Sequence, residues 1–265
     1  MGGIVQQLNN LSLTAEHLSV VIIALNEEQN LSALLPAMPK GAEIILVDSH
    51  SSDKTAEVAR SFGAKVINHP FTGFASQKNF AASQATRAWT LMLDADERPD
   101  DELWRSIINI TTTNQNIAAN LPRKLVFNGR KMKFGRTHDF VLRLFKTGSF
   151  EYQKEIHEVP ISKTGAQQIN LSGILWHYSY KNLDDYFAKF NRYTSLMAED
   201  RLQRGARLPM KAELALRLPI DFMSRYFFRL GFLDGYEGFV WAALGSFYGF
   251  IKYVKALEKK SGISK

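Results

Sequence analysis

Leu18-Ser-Val-Val-Ile-Ile-Ala-Leu25 is almost unbroken apolar sequence, rich in β-branched residues. A strand wetted on one face alternates apolar with polar. A continuous run points instead to a strand of a parallel sheet covered on both faces. Three more runs of this kind follow: Glu43-Ile-Ile-Leu-Val-Asp48, Ala64-Lys-Val-Ile67 and Trp89-Thr-Leu-Met-Leu-Asp94. Helical patterns lie between them. Asn26 stands where it would cap a first helix, with Gln29 at the third position and Leu31, Leu34 and Leu35 on one face. Asp53 would cap a second helix carrying Ala56, Val58, Ala59 and Phe62, which Gly63 ends. Ser76 to Thr86 reads as a third, alanine-rich helix. The order β-α-β-α-β-α-β predicts an open α/β fold with a mostly parallel sheet.

Ligands of such sheets bind beyond the carboxyl ends of the strands. Those ends carry Leu25-Asn26-Glu27, Asp48-Ser49 and Asp94-Ala-Asp96-Glu97. Strand alternation puts Asp94 and Asp96 on one side with Ala95 turned away. Two such carboxylates suit a hard divalent cation, Mg²⁺ or Mn²⁺, which also takes phosphate oxygens. Asp48 can accept hydrogen bonds from a uracil or a ribose. Gln77-Lys78-Asn79 can bring a cation and an amide to a diphosphate, or else form a solvated helix face. No Gly-x-Gly-x-x-Gly follows the first strand, which disfavours a dehydrogenase. Asn26-Glu-Glu stands where a sugar nucleotidyltransferase carries a glycine-rich basic loop, which disfavours that alternative.

Four motifs in order, with compatible spacing, make the first hundred residues specific: Val20-Val-Ile-Ile-Ala-Leu-Asn-Glu-Glu-Gln-Asn-Leu31, Ile44-Ile-Leu-Val-Asp-Ser-His-Ser-Ser-Asp-Lys-Thr55, Gln77-Lys-Asn-Phe-Ala81 and Leu91-Met-Leu-Asp-Ala-Asp-Glu97. Together they resemble the inverting family-two glycosyltransferases with the GT-A fold, a Rossmann-like nucleotide-diphospho-sugar transferase core. Arg143-Leu-Phe145, Ile156-His-Glu-Val159, Trp176-His-Tyr-Ser179 and Gly231-Phe-Leu-Asp-Gly235 resemble the lipopolysaccharide-core glucosyltransferase branch of that family. The resemblance implies that Asn26 and Glu27 line the nucleotide pocket and Asp48 holds the uracil or ribose side. It implies that Asp94 contacts the nucleotide and Asp96 ligates the metal. His50 departs from the glycine that relatives commonly carry there, which predicts an altered loop. The Gln-x-x-Arg-Trp motif of processive synthases is absent, which argues for addition of a single sugar.

An inverting transferase needs a carboxylate base for the acceptor hydroxyl and no general acid on the leaving side. Glu158, beside His157 on a strand-like segment, is the first choice, with Glu155 and Asp139 as rivals. His157 and His177 can complete a metal shell or touch phosphate; His177, in Trp176-His-Tyr178, is the better ligand. Arg143 either pairs with the diphosphate or is a solvated strand arginine. The implied activity moves one hexose, glucose by the branch resembled, from a UDP-sugar to a lipid-linked glycan acceptor. That acceptor is the lipopolysaccharide inner core.

The wider composition is that of an ordinary globular protein, with 45% hydrophobic and 22% charged residues in 265. The lack of cysteine excludes disulfides and thiolate sites. Residues 1–200 hold equal numbers of acidic and basic side chains. Arg201 to Lys265 hold twelve Lys/Arg against five Asp/Glu, so the whole net charge of +7 sits there. A nucleic-acid binder would be basic more evenly. Aromatics interleave with Arg217, Arg225 and Arg229, and Lys252, Lys255, Lys259 and Lys260 follow. This describes interfacial, amphipathic helices on an anionic membrane face, or else helices packing as core or in a homo-oligomer. The pattern is helical from Asn182, with interruptions at Pro209 and Pro219. The Phe239–Val254 stretch is broken by Gly245, Ser246, Gly249 and Lys252, short of the roughly 18–20 apolar residues of a span. Expected, then, are a leader at 1–17, a catalytic domain at 18–205 and a helical tail at 206–265. The place is the cytoplasm, peripheral on the inner face of the plasma membrane. The competing non-enzyme reading is a membrane-surface binding protein.

Overall fold

The computed structural model describes residues 14–153 and 158–262, so most of the expected leader lies outside the described residues. Two compact units emerge. The first comprises residues up to Arg123 together with Asp139–His177; the second comprises Lys124–His138 and Tyr178 onward. The expected boundary at 205/206 falls inside the second unit.

The first unit is built on strands β1 (Leu18–Ala24), β2 (Glu43–Asp48), β3 (Lys65–Asn68) and β4 (Trp89–Asp94), with β5 (Glu97–Pro99) just after. Helices α1 (Glu28–Leu34), α2 (Thr55–Ser61) and α3 (Phe74–Ser83) connect the first four, and α4 (Asp101–Thr111) follows β5. Next come β6 (Ile117–Phe127), β7 (Arg130–Lys131), β8 (His138–Lys146), β9 (Phe150–Gln153), β10 (Val159–Ser162), β11 (Gln167–Asn170) and β12 (Leu175–His177). The sheet order is β3-β2-β1-β4-β8-β6-β12-β5, with β11 on β6. β3, β2, β1 and β4 run parallel; β8 joins β4 antiparallel.

The unbroken apolar run of β1 has the predicted cause. Leu18, Val20, Ile22 and Ala24 enter one core, with Leu91 and Leu93 of β4. Val21 enters a second core with Ile45, Val47 and Met92. Both faces are covered, so both phases of the alternation are almost wholly apolar; the exception, Ser19, is buried and donates to Glu43. Because β1 lies between β2 and β4, the strand order reverses at β1. The register Ile23↔Asp94 and Ala24↔Asp48 brings three carboxyl ends to that switch point.

The helices start differently from the capping pattern. α1 begins at Glu28, and the residue before it, Glu27, makes no side-chain cap. Asn26 instead takes the left-handed conformation, φ 57°. α2 begins at Thr55, and Asp53 accepts from the Thr55 N–H (3.0 Å) while also accepting from Glu28 N–H (3.2 Å). α3 starts two residues early, after Gly73 at φ 149°, and ends at Ser83.

β12 is placed by its approach. Asp100 caps α4 through Leu103 N–H (2.8 Å) and also accepts from Ile174 N–H (3.1 Å). Gly173, φ 96°, passes so close to α4 that a Cβ there would lie 2.2 Å from Leu103 N. β12 then pairs antiparallel with β5, setting His177 opposite Glu97.

The second unit holds α5 (Leu183–Gln203), α6 (Lys211–Met223) and α7 (Gly235–Lys260). Asn182 caps α5 by accepting from Asp185 N–H (2.8 Å). Pro219 does not interrupt α6; it lies inside it, and a π-type turn, Ser224–Phe228, follows five residues later. Part of the tail's aromatic content packs inward: Trp241 lies against the Leu125, Phe127 and Met132 cluster, near Tyr180 and Tyr186, whereas Phe247, stacked on the buried Phe190, stays 40% exposed. Asp234, 2% exposed, accepts from the Lys133 and Phe134 N–H groups at 2.9 and 2.8 Å. Asp234→Ala strands both donors and is expected to cost about 2–4 kcal/mol. A urea midpoint within error of the parent protein would refute that anchoring role.

Candidate active site

The loops after β1 and β2 are stitched together. Asn26 N–H donates to Ser51 Oγ (2.8 Å), and Asn26 Oδ1 accepts from Ser52 N–H (2.8 Å). Glu27 N–H donates to Thr55 Oγ1 (2.8 Å), and its carboxylate accepts from Asn30 (2.7 Å). Asp48 is buried and accepts from Ser51 N–H (3.0 Å). His50 takes φ 62°. It thus supplies the left-handed turn itself, in a region histidine enters more readily than most non-glycine residues.

Beside these loops lies a charge cluster that departs from the expectation of solvated cations. Lys78 and Arg143 are 3% and 6% exposed. Lys78 Nζ sits 2.7 Å from Glu158 Oε1 and 3.3 Å from Asp94 Oδ1. Arg143 Nη2 donates to Asp94 Oδ2 and, at 2.8 Å, to the fully buried Glu97. Glu97 also accepts from Arg123 (3.2 Å) and from Asp94 N–H (3.1 Å). Burial alone would raise the Asp94 carboxyl. Arg143 and Lys78 override it and hold Asp94 far below the usual carboxylate range. Burial likewise works against the Lys78 ammonium, but Asp94, Tyr152 and Glu158 keep it above its usual range despite the Arg143 charge. The Tyr152 ring centroid lies 5.6 Å from Nζ.

Gln77 and Asn79 do not face the crevice as ligands. Gln77 is buried, bonding Ser49 Oγ (3.0 Å) and the His69 ring (2.9 Å). Asn79 bonds both backbone groups of Tyr152, at 2.7 and 2.8 Å. They fix α3 so that Lys78 meets Asp94 and Glu158.

Asp96 lies beside His177. Its Oδ2 lies 3.4 Å from His177 Nε2, and both side chains are about a quarter exposed. Burial would lower the His177 imidazole; Asp96, with Glu97 adding, raises it instead. Among the described residues no three His, Cys, Asp or Glu gather into a metal cage. One carboxylate and one imidazole would nonetheless suit a divalent cation that also takes phosphate oxygens. Asp94 is already held by two cations, Lys78 and Arg143. Of the rival bases, Asp139 is gripped by Arg123 at 2.7 and 3.0 Å, whereas Glu155, like His157, lies outside the described residues.

Residues 19–173 match the family described as glycosyl transferase family 2. The chain belongs to glycosyl transferase family 2. This glycosyltransferase is 30% identical to the lipopolysaccharide core biosynthesis glycosyltransferase LpsC of Rhizobium meliloti, over 91% of this chain and 92% of the relative. It is 29% identical to an uncharacterized glycosyltransferase of Rickettsia typhi, over 91% and 87%. Among solved structures, S. aureus TarS 1–349 aligns over 92% of this chain and 91% of its own, at 15% identity and a TM-score of 0.46. Glucosyl-3-phosphoglycerate synthase from Mycobacterium tuberculosis, in complex with Mn²⁺, UDP and phosphoglyceric acid, aligns over 44% and 46%, at 23% identity and a TM-score of 0.33. The α/β core with its mostly parallel sheet, followed by C-terminal helices, is the fold class that the apolar runs and the helical patterns between them lead one to expect. Family membership sets aside the nucleotidyltransferase and the non-enzymatic reading.

Glu97, Arg123 and Tyr152 are site residues that sequence reasoning did not single out. Glu97 was visible only as the tail of Asp-Ala-Asp-Glu, and its partner strand β12 is 78 residues away.

Proposed function

We propose that this glycosyltransferase moves a single hexose, glucose first among candidates, from a UDP-sugar to a lipid-linked lipopolysaccharide-core acceptor with inversion. The observation that carries the donor site is the division of labour at Asp94-Ala95-Asp96. Asp94 is bound by two buried cations, Lys78 and Arg143, while Asp96 lies beside His177; both carboxylates are partly exposed, at 29 and 23%. Asn26, Glu27 and Asp48 sit one strand away, where a nucleoside belongs. Lys78 and Arg143 add positive charge beside Asp94 and temper its repulsion of a diphosphate.

Asp96 and His177 would hold Mg²⁺ or Mn²⁺. The cation, when bound, offsets the charge that develops on the departing diphosphate. Glu158 takes the proton from the acceptor hydroxyl. That oxygen forms its bond to the anomeric carbon as the bond from that carbon to the diphosphate oxygen breaks on the opposite face. Lys78, 2.7 Å from Glu158, orients the carboxylate through a charge-assisted hydrogen bond and leaves its second oxygen for the acceptor. Glu158→Gln is expected to lower kcat about 10²–10⁴-fold with little change in donor KM. Retention of more than a tenth of kcat would remove Glu158 from the role. The acceptor assignment draws on the name of the Rhizobium meliloti relative and on the branch resembled.

The deciding experiment is calorimetric titration of UDP and UDP-glucose, with and without Mn²⁺, repeated on Asp96→Ala. Metal-dependent binding lost in the variant supports the reading. No binding of either nucleotide under any metal condition refutes the uridine donor.

A further inference from the structure

We propose that the second unit docks on an anionic phospholipid bilayer through an exposed apolar stripe of α6 and the three-cation cluster beside it, Arg201, Arg217 and Lys252. Eight of the thirteen residues of α6 are aliphatic, aromatic or methionine, yet only Leu214 is buried. Leu216, Ile220, Met223 and Phe227 follow one another at spacings of four, three and four, so they share one side of the helix and its π-type continuation. They are 61, 63, 43 and 47% exposed, and Phe228 just beyond is 79% exposed. A contiguous apolar strip of this kind marks a binding surface. No helix among the described residues is long and apolar enough to cross a membrane, so the contact is interfacial.

Charge says what covers the strip. The Arg217 and Arg201 guanidinium carbons lie 4.6 and 4.7 Å from the centroid of the Tyr253 ring, and Lys252 Nζ lies 5.3 Å from it. None of the three has a carboxylate within salt-bridge distance among the described residues. The nearby acids are already matched: Asp221 holds Arg136 and Arg225, and Glu213 holds Arg207. Burial, with Arg217 and Arg201 adding to it, pushes the Lys252 ammonium below its usual range. Three cations crowded at one ring, with Asp221 nearby but no carboxylate in salt-bridge contact, are relieved by an anion. Arg217 and Ile220, one from the cluster and one from the stripe, line the same cleft of about 400 Å³ with Arg136, Glu213, Asp221 and Ser224. Phosphate headgroups beside acyl chains match that pairing. A second copy of the chain does not, because an isologous contact sets the same cationic excess against itself.

The biological use of this surface rests on the reading of a membrane-borne acceptor; the binding itself does not. The test is co-sedimentation of the full chain with phosphatidylglycerol–phosphatidylethanolamine vesicles and with phosphatidylcholine vesicles, at low and high salt. Binding to the anionic vesicles, weakened by salt, is expected. Ile220→Glu and Phe228→Glu are each expected to reduce partitioning about tenfold or more with circular dichroism and Tm unchanged, since both sites are exposed. Arg217→Gln and Lys252→Gln are each expected to reduce it about fivefold. Equal binding to both vesicle types, no binding to either, or indifference to Ile220→Glu overturns the proposal. So does a dimer in size-exclusion chromatography that Ile220→Glu disperses. UDP titration of the same variants, expected to be unchanged, keeps a failure here distinct from a failure of the donor site.

Discussion

Asp96→Ala is expected to lower kcat/KM by at least about 10³-fold, as loss of several kcal/mol of leaving-group stabilisation implies. The fold should survive. Asp96 is about a quarter exposed, and His177 is one of its partners. Asp94→Ala makes the instructive contrast. It leaves Lys78 and Arg143 buried side by side without the carboxylate that separates them, so its damage should appear in stability as well as in turnover. Two carboxylates two residues apart thus give different signatures. The check is kcat/KM together with a urea midpoint for both variants. If Asp96→Ala keeps more than a few per cent of activity, or unfolds as readily as Asp94→Ala, the separation of roles is wrong.

That separation was only half legible in the amino-acid sequence. β2 and β4 stand at the limits their apolar runs imply, and β1 ends one residue short of its run. A strand with both faces covered has no polar phase to blur its ends. The crevice residues follow from topology, since β1 between β2 and β4 collects the three carboxyl ends. Arg143 illustrates what local pattern does not contain. Within Val141-Leu-Arg-Leu-Phe145 it looks like the wet position of a half-exposed strand. Its burial depends on Asp94 and Glu97, 49 and 46 residues earlier. His177 reaches Asp96 only through the antiparallel β5–β12 pairing, which Gly173 and Asp100 enforce from outside the strand. In the second unit, aromatic content was read as one feature and divides into two. Trp241 and Phe190 pack inward, whereas Phe227 and Phe228 remain exposed; helical spacing in the chain does not reveal which face finds a partner.

Arg143→Met should destabilise the fold by about 3–5 kcal/mol, more than Asp234→Ala does. One guanidinium nitrogen serves both Asp94 and Glu97. Glu97 is completely buried, and its other cationic partner, Arg123, is shared with Asp139. Without Arg143 the cluster holds Asp94, Glu97 and Glu158 against Lys78 and a divided Arg123. Methionine fills the volume, so packing loss is minor and the deficit reports charge. Arg143→Lys restores the charge but offers a compact ammonium on a shorter, differently shaped head, and should recover only part of the loss. If instead the cluster contributes nothing, Arg143→Met will unfold within about 1 kcal/mol of the parent in urea, the span of an exposed ion pair. The double substitution Arg143→Met with Glu97→Gln sharpens the point. Neutralising Glu97 removes the charge that Arg143 compensates, so the pair should be less destabilised than the sum of the singles. A coupling near zero would mean the two side chains stabilise the strand ends independently, and the buried network would not be what orders Asp94 beside the donor site.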